Sequence, residues 1–130
     1  MLDADLQPHL DVTDAASHTS FVLKDQFLNY SFSDPLKDAV RDLTAERARD
    51  GVQNFVLDLS AVGFMDSCGL SVLIAMRKAV EQAHRRMIVV VPSPIVLRLL
   101  SITRLDQVFE IVATAAEAEL ALTQPAPASA

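Results

Sequence analysis

The segment FMDSCGLSVL, residues 64–73, places a carboxylate, a hydroxyl and a thiol in succession between two apolar stretches. The pattern predicts that a hydrophobic strand gives way to a helix in this region, and that the helix begins at about Ser67. Free backbone N–H groups and the positive end of the dipole make the start of a helix favourable for an anion. Ser67 is therefore a candidate for modification or recognition. The simpler alternative is that Ser67 or Asp66 only caps the helix.

The residues after Ser67 indicate a surface that a second protein could contact. Gly69 costs about 1 kcal/mol relative to Ala in a helix interior, somewhat less near an end, and leaves the backbone open to close approach. Leu70 lies at the flank of the predicted core-facing stripe, and Ile74 lies nearly opposite to it. These two side chains either form a docking surface or are covered by a neighbouring helix. The predicted stripe consists of Val72, Leu73, Met76, Ala79, Val80, Ala83 and Met87.

Other common chemistries lack the residues that they need. The three glycines of the chain are too few and too scattered for a dinucleotide fingerprint or a P-loop. The three histidines and the single cysteine have no metal-ligand spacing. No nucleophile elbow of the form G-x-S-x-G is present. We therefore predict no catalytic, cofactor or metal site.

Asp58 is the other carboxylate at the end of a predicted buried strand. A phosphoacceptor aspartate of a receiver domain occupies a comparable position, but a receiver also needs an acidic pair after its first strand and a lysine at a later strand end. The chain has neither at the required place. We interpret Asp58 as an aspartate that local backbone groups satisfy.

The composition fits a small domain with its own core and narrows the class of partner. The chain has 130 residues, of which 51% are hydrophobic, and a net charge of -6 with a pI near 4.8. This charge argues against nucleic acid or an anionic membrane as the main partner, and leaves a protein or a small molecule. The single cysteine excludes an internal disulfide, and neither a secretion signal nor a membrane span is recognisable, so we expect a cytoplasmic protein.

Strand and helix patterns alternate along the chain and predict an α/β domain. We expect a mixed sheet of four to five strands, in which an N-terminal hairpin precedes parallel strands, with about four helices. The domain would span residues 1–122, followed by a disordered tail over residues 123–130. Predicted strands cover residues 8–13, 20–32, 52–60, 87–91 and 108–113. Predicted helices begin at about residues 34, 67, 94 and 114 and end at about residues 50, 85, 103 and 122.

Residues 56–74, VLDLSAVGFMDSCGLSVLI, resemble the motif of the STAS family, the domain shared by sulphate transporters and bacterial anti-sigma factor antagonists. The shared pattern is a hydrophobic strand with Asp-Leu-Ser, then a hydrophobic residue, Asp-Ser, one small residue and Gly-Leu. The later segment MIVVVPSPIVLRLLSITRLDQVFEI is similar to the next strand, helix and final strand of the family. The resemblance covers about residues 52–122. Upstream, KDQFLNYSF stands where members usually have Gly-Glu-hydrophobic-Asp, and Cys68 replaces the more common Ser or Ala.

The resemblance implies a function in signalling. In the antagonist branch, a partner that is both anti-sigma factor and ATP-using serine kinase phosphorylates the serine of the motif. The unphosphorylated form binds that partner and releases the sigma factor. For this chain the resemblance implies that Ser67 is the phosphoacceptor, that ATP is bound by the partner kinase, and that the protein is not an enzyme. The predicted partner-binding residues are Asp66, Cys68, Gly69, Leu70, Ser71 and Ile74.

Two other functions remain open. The chain could be a STAS scaffold subunit of a stress-signalling assembly or of a lipid-transport ABC complex, with a serine that stays unphosphorylated. A small-ligand or nucleotide-binding module is the third alternative. A tail cut from a sulphate transporter is not expected of a chain that begins with Met and has no spanning helix. The oligomeric state stays open.

Overall fold

The computed structural model describes residues 5–16, 18–28 and 30–125, and for residues 30–33 the backbone alone. Within these residues the chain forms seven strands and four α-helices. The strands are β1 (Leu10–Asp14), β2 (Thr19–Leu23), β3 (Phe27–Leu28), β4 (Asn54–Asp58), β5 (Phe64–Met65), β6 (Arg86–Val90) and β7 (Glu110–Val112). The helices are α1 (Tyr30–Arg49), α2 (Ser67–Gln82), α3 (Pro94–Ile102) and α4 (Ala115–Leu122).

Five strands form a mixed sheet in the order β1-β2-β4-β6-β7. The β1–β2 pair is antiparallel, and the other three pairs are parallel. Strands β3 and β5 form a separate two-stranded parallel sheet, in which Phe27 pairs with Phe64 and Leu28 with Met65. The predicted mixed sheet, its N-terminal hairpin and its four helices are therefore confirmed.

Successive side chains of a strand point to opposite faces of the sheet, so the core is divided between the two faces. On one face, Phe55 and Leu57 of β4 pack with the apolar sides of α1, α2 and α3. On the other face, Val56 packs with Ile88 and with Ala118 of α4. None of the helices in the described ranges is long and apolar enough to span a bilayer.

The predicted strand over residues 20–32 is wrong in its second half. The strand ends at Leu23, and after a turn β3 covers only two residues before α1 begins at Tyr30. The carbonyl oxygen of Gln26 accepts hydrogen bonds from the backbone N–H groups of Gly63 and Phe64, which directs the chain away from the main sheet and towards β5. Pro35, a residue that favours the first helical position, lies inside α1, where it removes one backbone hydrogen bond and its ring crowds the carbonyl group four residues earlier.

The other helix boundaries agree with the sequence pattern to within a few residues. Helix α2 ends at Gln82, three residues earlier than predicted, because His84 adopts a left-handed conformation with φ 56°. Helix α4 begins after Thr114, whose side chain accepts a hydrogen bond from the N–H of Glu117 and so caps the helix. Of the predicted tail, residues 123–125 follow this helix, and residues 126–130 lie outside the described residues.

Candidate functional site

Asp66 caps helix α2 at the junction with β5. Its backbone is extended, and its Oδ1 accepts a hydrogen bond of 3.0 Å from the backbone N–H of Gly69. Its own N–H donates to the carbonyl oxygen of Leu28 on β3 at 3.2 Å. The sequence left open which of two residues caps the helix, and the structure assigns the cap to Asp66. The hydroxyl of Ser67 is therefore not needed for capping.

Ser67 is the first residue of α2, and its side chain is exposed. The N–H groups of the first helical turn have no acceptor within the helix, and Asp66 satisfies that of Gly69. The remaining N–H groups and the helix dipole lie beside the Ser67 hydroxyl. The helix start contributes about 0.3–1 kcal/mol in favour of a negative group on this oxygen, which the neighbouring Asp66 carboxylate opposes.

Gly69 is buried because helix α2 packs closely against strand β3. A Cβ atom at this position would lie 2.4 Å from the carbonyl oxygen of Leu28 and 2.8 Å from Cβ of Met65. The sequence predicted a close approach at this glycine, and within the described chain the approaching group is the backbone of the domain itself. Gly69 therefore fixes the position of the start of α2 relative to β3.

The other predicted partner-binding residues differ in exposure. Leu70 is only 8% exposed and belongs to the core, whereas Ile74 is 37% exposed. Ile74 and Ser71 line a groove of about 390 Å³ between α1 and α2. Cys68 is half-buried, and its carbonyl oxygen accepts a hydrogen bond from the Ser71 hydroxyl. The residues accessible to a partner are Ser67, Ile74 and parts of Cys68 and Ser71. Gly69 and Leu70 are buried beneath them.

An exposed aromatic pair lies on the short sheet that leads into α2. Phe27 is 60% exposed and Phe64 is 46% exposed, and their ring centroids are 6.0 Å apart in an edge-to-face arrangement. Phe64 precedes Ser67 by three residues. The sequence reasoning did not assign a role to either ring, because Phe27 was taken as part of a long strand. The available signal was Phe64, which opens the quoted segment but lies between the predicted strand over residues 52–60 and the predicted helix.

Asp58 is satisfied locally, as predicted. Its Oδ1 accepts hydrogen bonds from the backbone N–H of Ser60 at 2.8 Å and from the Ser60 hydroxyl at 2.5 Å. No group of three or more His, Cys, Asp or Glu side chains that could hold a metal occurs among the residues that the structure describes.

Comparison with known proteins identifies the family. Residues 25–118, well over half of the chain, match the STAS domain. A Thermotoga maritima protein, described as a candidate anti-sigma factor antagonist, is 26% identical with a TM-score of 0.73, over 88% of this chain and 95% of its own. A STAS anti-sigma-factor antagonist from Planctomyces limnophilus is 21% identical with a TM-score of 0.77, and the match covers 89% of this chain and 99% of that protein.

SpoIIAA of Bacillus, an anti-sigma factor antagonist, has been solved in unphosphorylated and phosphorylated forms that both share this fold. The two forms are 14% and 17% identical to this chain, each with a TM-score of 0.62, and the matches cover 85% of this chain and 94% and 96% of theirs. Together with the family match over residues 25–118, the fold and the Asp-Ser-Cys-Gly-Leu junction show that this chain belongs to the STAS family.

Proposed function

We propose that this protein is an anti-sigma factor antagonist that binds an anti-sigma factor kinase when Ser67 is unphosphorylated and loses that binding when Ser67 is phosphorylated. The observation that carries the proposal is the exposed Ser67 hydroxyl at the first position of a helix that Asp66 already caps. The hydroxyl has no structural task in the cap and is open to a kinase. Structural relatives named as anti-sigma factor antagonists, one of them in a phosphorylated form, support the assignment.

The docking surface would combine Ser67 with the apolar groups around the start of α2. Phe27 and Phe64 provide exposed aromatic area on one side, and Ile74 provides aliphatic area one to two turns further along the helix. Asp66, Cys68 and Ser71 lie between these groups. Gly69 and Leu70 act indirectly, because they hold the helix at its depth against β3.

Phosphorylation would act on binding without unfolding the domain. A phosphate adds about -1.5 to -2 charges next to the Asp66 carboxylate. A partner carboxylate about 4 Å from the phosphate would be repelled by roughly 4 kcal/mol at an effective dielectric constant of 20. A partner that covers this surface must also desolvate the phosphate. A loss of about 4 kcal/mol corresponds to a decrease in affinity of about a thousandfold.

Phosphorylation is tested by incubating the protein with ATP and each purified anti-sigma factor kinase of the source organism, followed by intact mass measurement. We expect the wild type to gain the mass of one phosphate and Ser67→Ala to gain none. Ser101→Ala, which removes an exposed hydroxyl on α3 outside the docking surface, serves as the control and should still be modified. If every kinase leaves the protein unmodified, the proposal fails and the scaffold-subunit alternative is favoured.

Binding is tested by titrating the same kinases with Ser67→Asp and Ser67→Ala. We expect Ser67→Asp to weaken binding by at least about a hundredfold and Ser67→Ala to bind like the wild type. Ala115→Asp is the matched control, because it adds the same charge at the first residue of the exposed start of α4. A Ser67→Asp variant that binds as tightly as Ala115→Asp would refute the switch. All three variants should melt close to the wild type, since each change lies at an exposed helix start.

A further inference from the structure

The outer face of helix α3 carries large aliphatic side chains that the Ser67 site does not use. Val96 and Leu100 of this helix are fully buried and define the side that faces the core. The exposed aliphatic residues of α3 and of the turn after it are Ile95 at 59%, Leu97 at 36%, Ile102 at 70% and Val108 at 45%. Helix α4, by contrast, exposes a single large aliphatic residue, Leu120.

The exposed residues of α3 form one continuous face. At about 100° per residue, Arg98 lies at the centre of the outward side, opposite Val96 and Leu100. Ile95 and Ile102 lie together on one flank of Arg98, two turns apart along the helix. Isolated exposed apolar residues are ordinary, but several on one short helix are typical of an interaction surface.

Among the residues that the structure describes, α3 and the turn after it carry a net positive charge, because Arg98 and Arg104 outnumber Asp106, the one carboxylate of this segment. Helix α3 contains no acidic residue, and neither Arg98 nor Arg104, which follows the helix, forms an ion pair with the residues that the structure describes. Four other arginines do form ion pairs with carboxylates: Arg41, Arg47, Arg77 and Arg86. A partner that complements the α3 face must therefore combine apolar side chains with negative charge.

This charge distribution selects among the possible occupants. A second copy that packed its α3 against this one across a two-fold axis would bring Arg98 close to its own equivalent, which like-charge repulsion disfavours. An anionic membrane would be repelled by a protein with a net charge of -6. An amphipathic helix with acidic flanks has both of the required properties.

We propose that the outer face of α3, formed by Ile95, Arg98 and Ile102, together with Arg104 and Val108 of the turn after it, binds an acidic amphipathic helix of a protein partner. None of these five residues belongs to the Ser67 docking surface, and the α3 face adds a second point of attachment to the domain. The two surfaces approach each other only near the start of α3, where the Ser93 hydroxyl donates to the carbonyl oxygen of Gly63 beside Phe64. We therefore expect binding at α3 not to depend on the phosphorylation state of Ser67.

The test uses the full-length protein labelled with ¹⁵N and two synthetic helical peptides. Both peptides carry leucines at the i, i+3, i+4 and i+7 positions, and the other positions are glutamate in one peptide and lysine in the other. We expect the glutamate peptide to bind saturably and to shift the amide signals of residues 95–108. The lysine peptide should bind at least about tenfold more weakly, since it faces Arg98 and Arg104 with like charge.

Matched variants identify the surface. The variants Ile102→Ser and Arg98→Glu should each weaken binding of the glutamate peptide by about tenfold or more. Leu120→Ser and Arg49→Glu make the same changes at exposed positions on other helices and should leave its affinity unchanged. Ser67→Asp should also leave it unchanged, which separates this proposal from the switch at Ser67. Circular dichroism of each variant confirms that the fold is intact.

Three outcomes would overturn the proposal. The first is the absence of saturable binding of the glutamate peptide, or signal shifts that map outside residues 95–108. The second is binding to phosphatidylglycerol vesicles that Ile102→Ser abolishes, which would assign the surface to a membrane. The third is a concentration-dependent dimer that Ile102→Ser dissociates, which would assign it to a second copy of the chain.

Discussion

Gly69 determines how closely helix α2 can approach strand β3. We predict that Gly69→Ala lowers the free energy of unfolding by about 1–3 kcal/mol, because its Cβ would overlap the Leu28 carbonyl oxygen and Met65. The gain in helix propensity, about 1 kcal/mol at most, does not offset this overlap. Urea unfolding measures the effect. Gly63→Ala is the control: the nearest atom to its added Cβ is 3.6 Å away, so we expect a change within about 0.5 kcal/mol. Equal stability of the two variants would contradict the argument.

At the scale of single residues, part of the candidate site could be predicted from the sequence and part could not. The position of Ser67 at the start of a helix was predictable, because the apolar pattern changes there from a continuous run to helical spacing. The burial of Leu70 was not, since a helical wheel placed it at the flank and only the packing of α2 against its neighbours decides its exposure. The role of Phe27 depends on its pairing with Phe64, which lies 37 residues away in the chain.

At the scale of elements, the turn that ends helix α2 uses a residue that is poorly suited to its conformation. His84 has φ 56°, which is unfavourable for a residue with a Cβ by roughly 1–2 kcal/mol. We predict that His84→Gly raises the free energy of unfolding by about 0.5–1 kcal/mol, after subtracting the greater freedom of glycine in the unfolded chain. Urea unfolding checks this value. His84→Ala keeps the Cβ and should have little effect, and a gain as large as that of glycine would show that strain is not the cause.

The elements that sequence reasoning missed are those too short to carry a period. Strands β3 and β5 have two residues each, and an alternating pattern needs at least four residues to be recognised. The longer strands and helices were predicted in the right order because each buries a regular stripe or a continuous run. The start of α1 was missed for a related reason, since Pro35 gave a stronger local signal than the helical turn before it.

At the scale of the whole molecule, an ion pair connects the N-terminal hairpin to the first helix. Arg47 of α1 donates from Nε to Oδ1 of Asp14 at 2.9 Å, across 33 positions in the chain, and Thr19 donates to the same carboxylate. The hydrogen bond from Arg47, followed by that from Thr19, lowers the pKa of Asp14 below its ordinary value. This contribution to stability is present above the pKa of Asp14 in the unfolded chain and is lost as the pH falls through the lower native pKa.

We therefore predict that Asp14→Asn is less stable than the wild type by at most about 1 kcal/mol at neutral pH, because the carboxylate is half-exposed and screened by solvent. The difference should shrink towards zero as the pH falls below the native pKa of Asp14, where the protonated acid resembles the amide. Urea unfolding of both proteins over a range of acidic pH measures it. Asp34→Asn removes an exposed carboxylate that pairs with Lys37 one turn further along α1, and it controls for the general effect of one charge on an acidic protein. A deficit of Asp14→Asn that stays constant with pH would mean that the connection between hairpin and helix rests on packing alone.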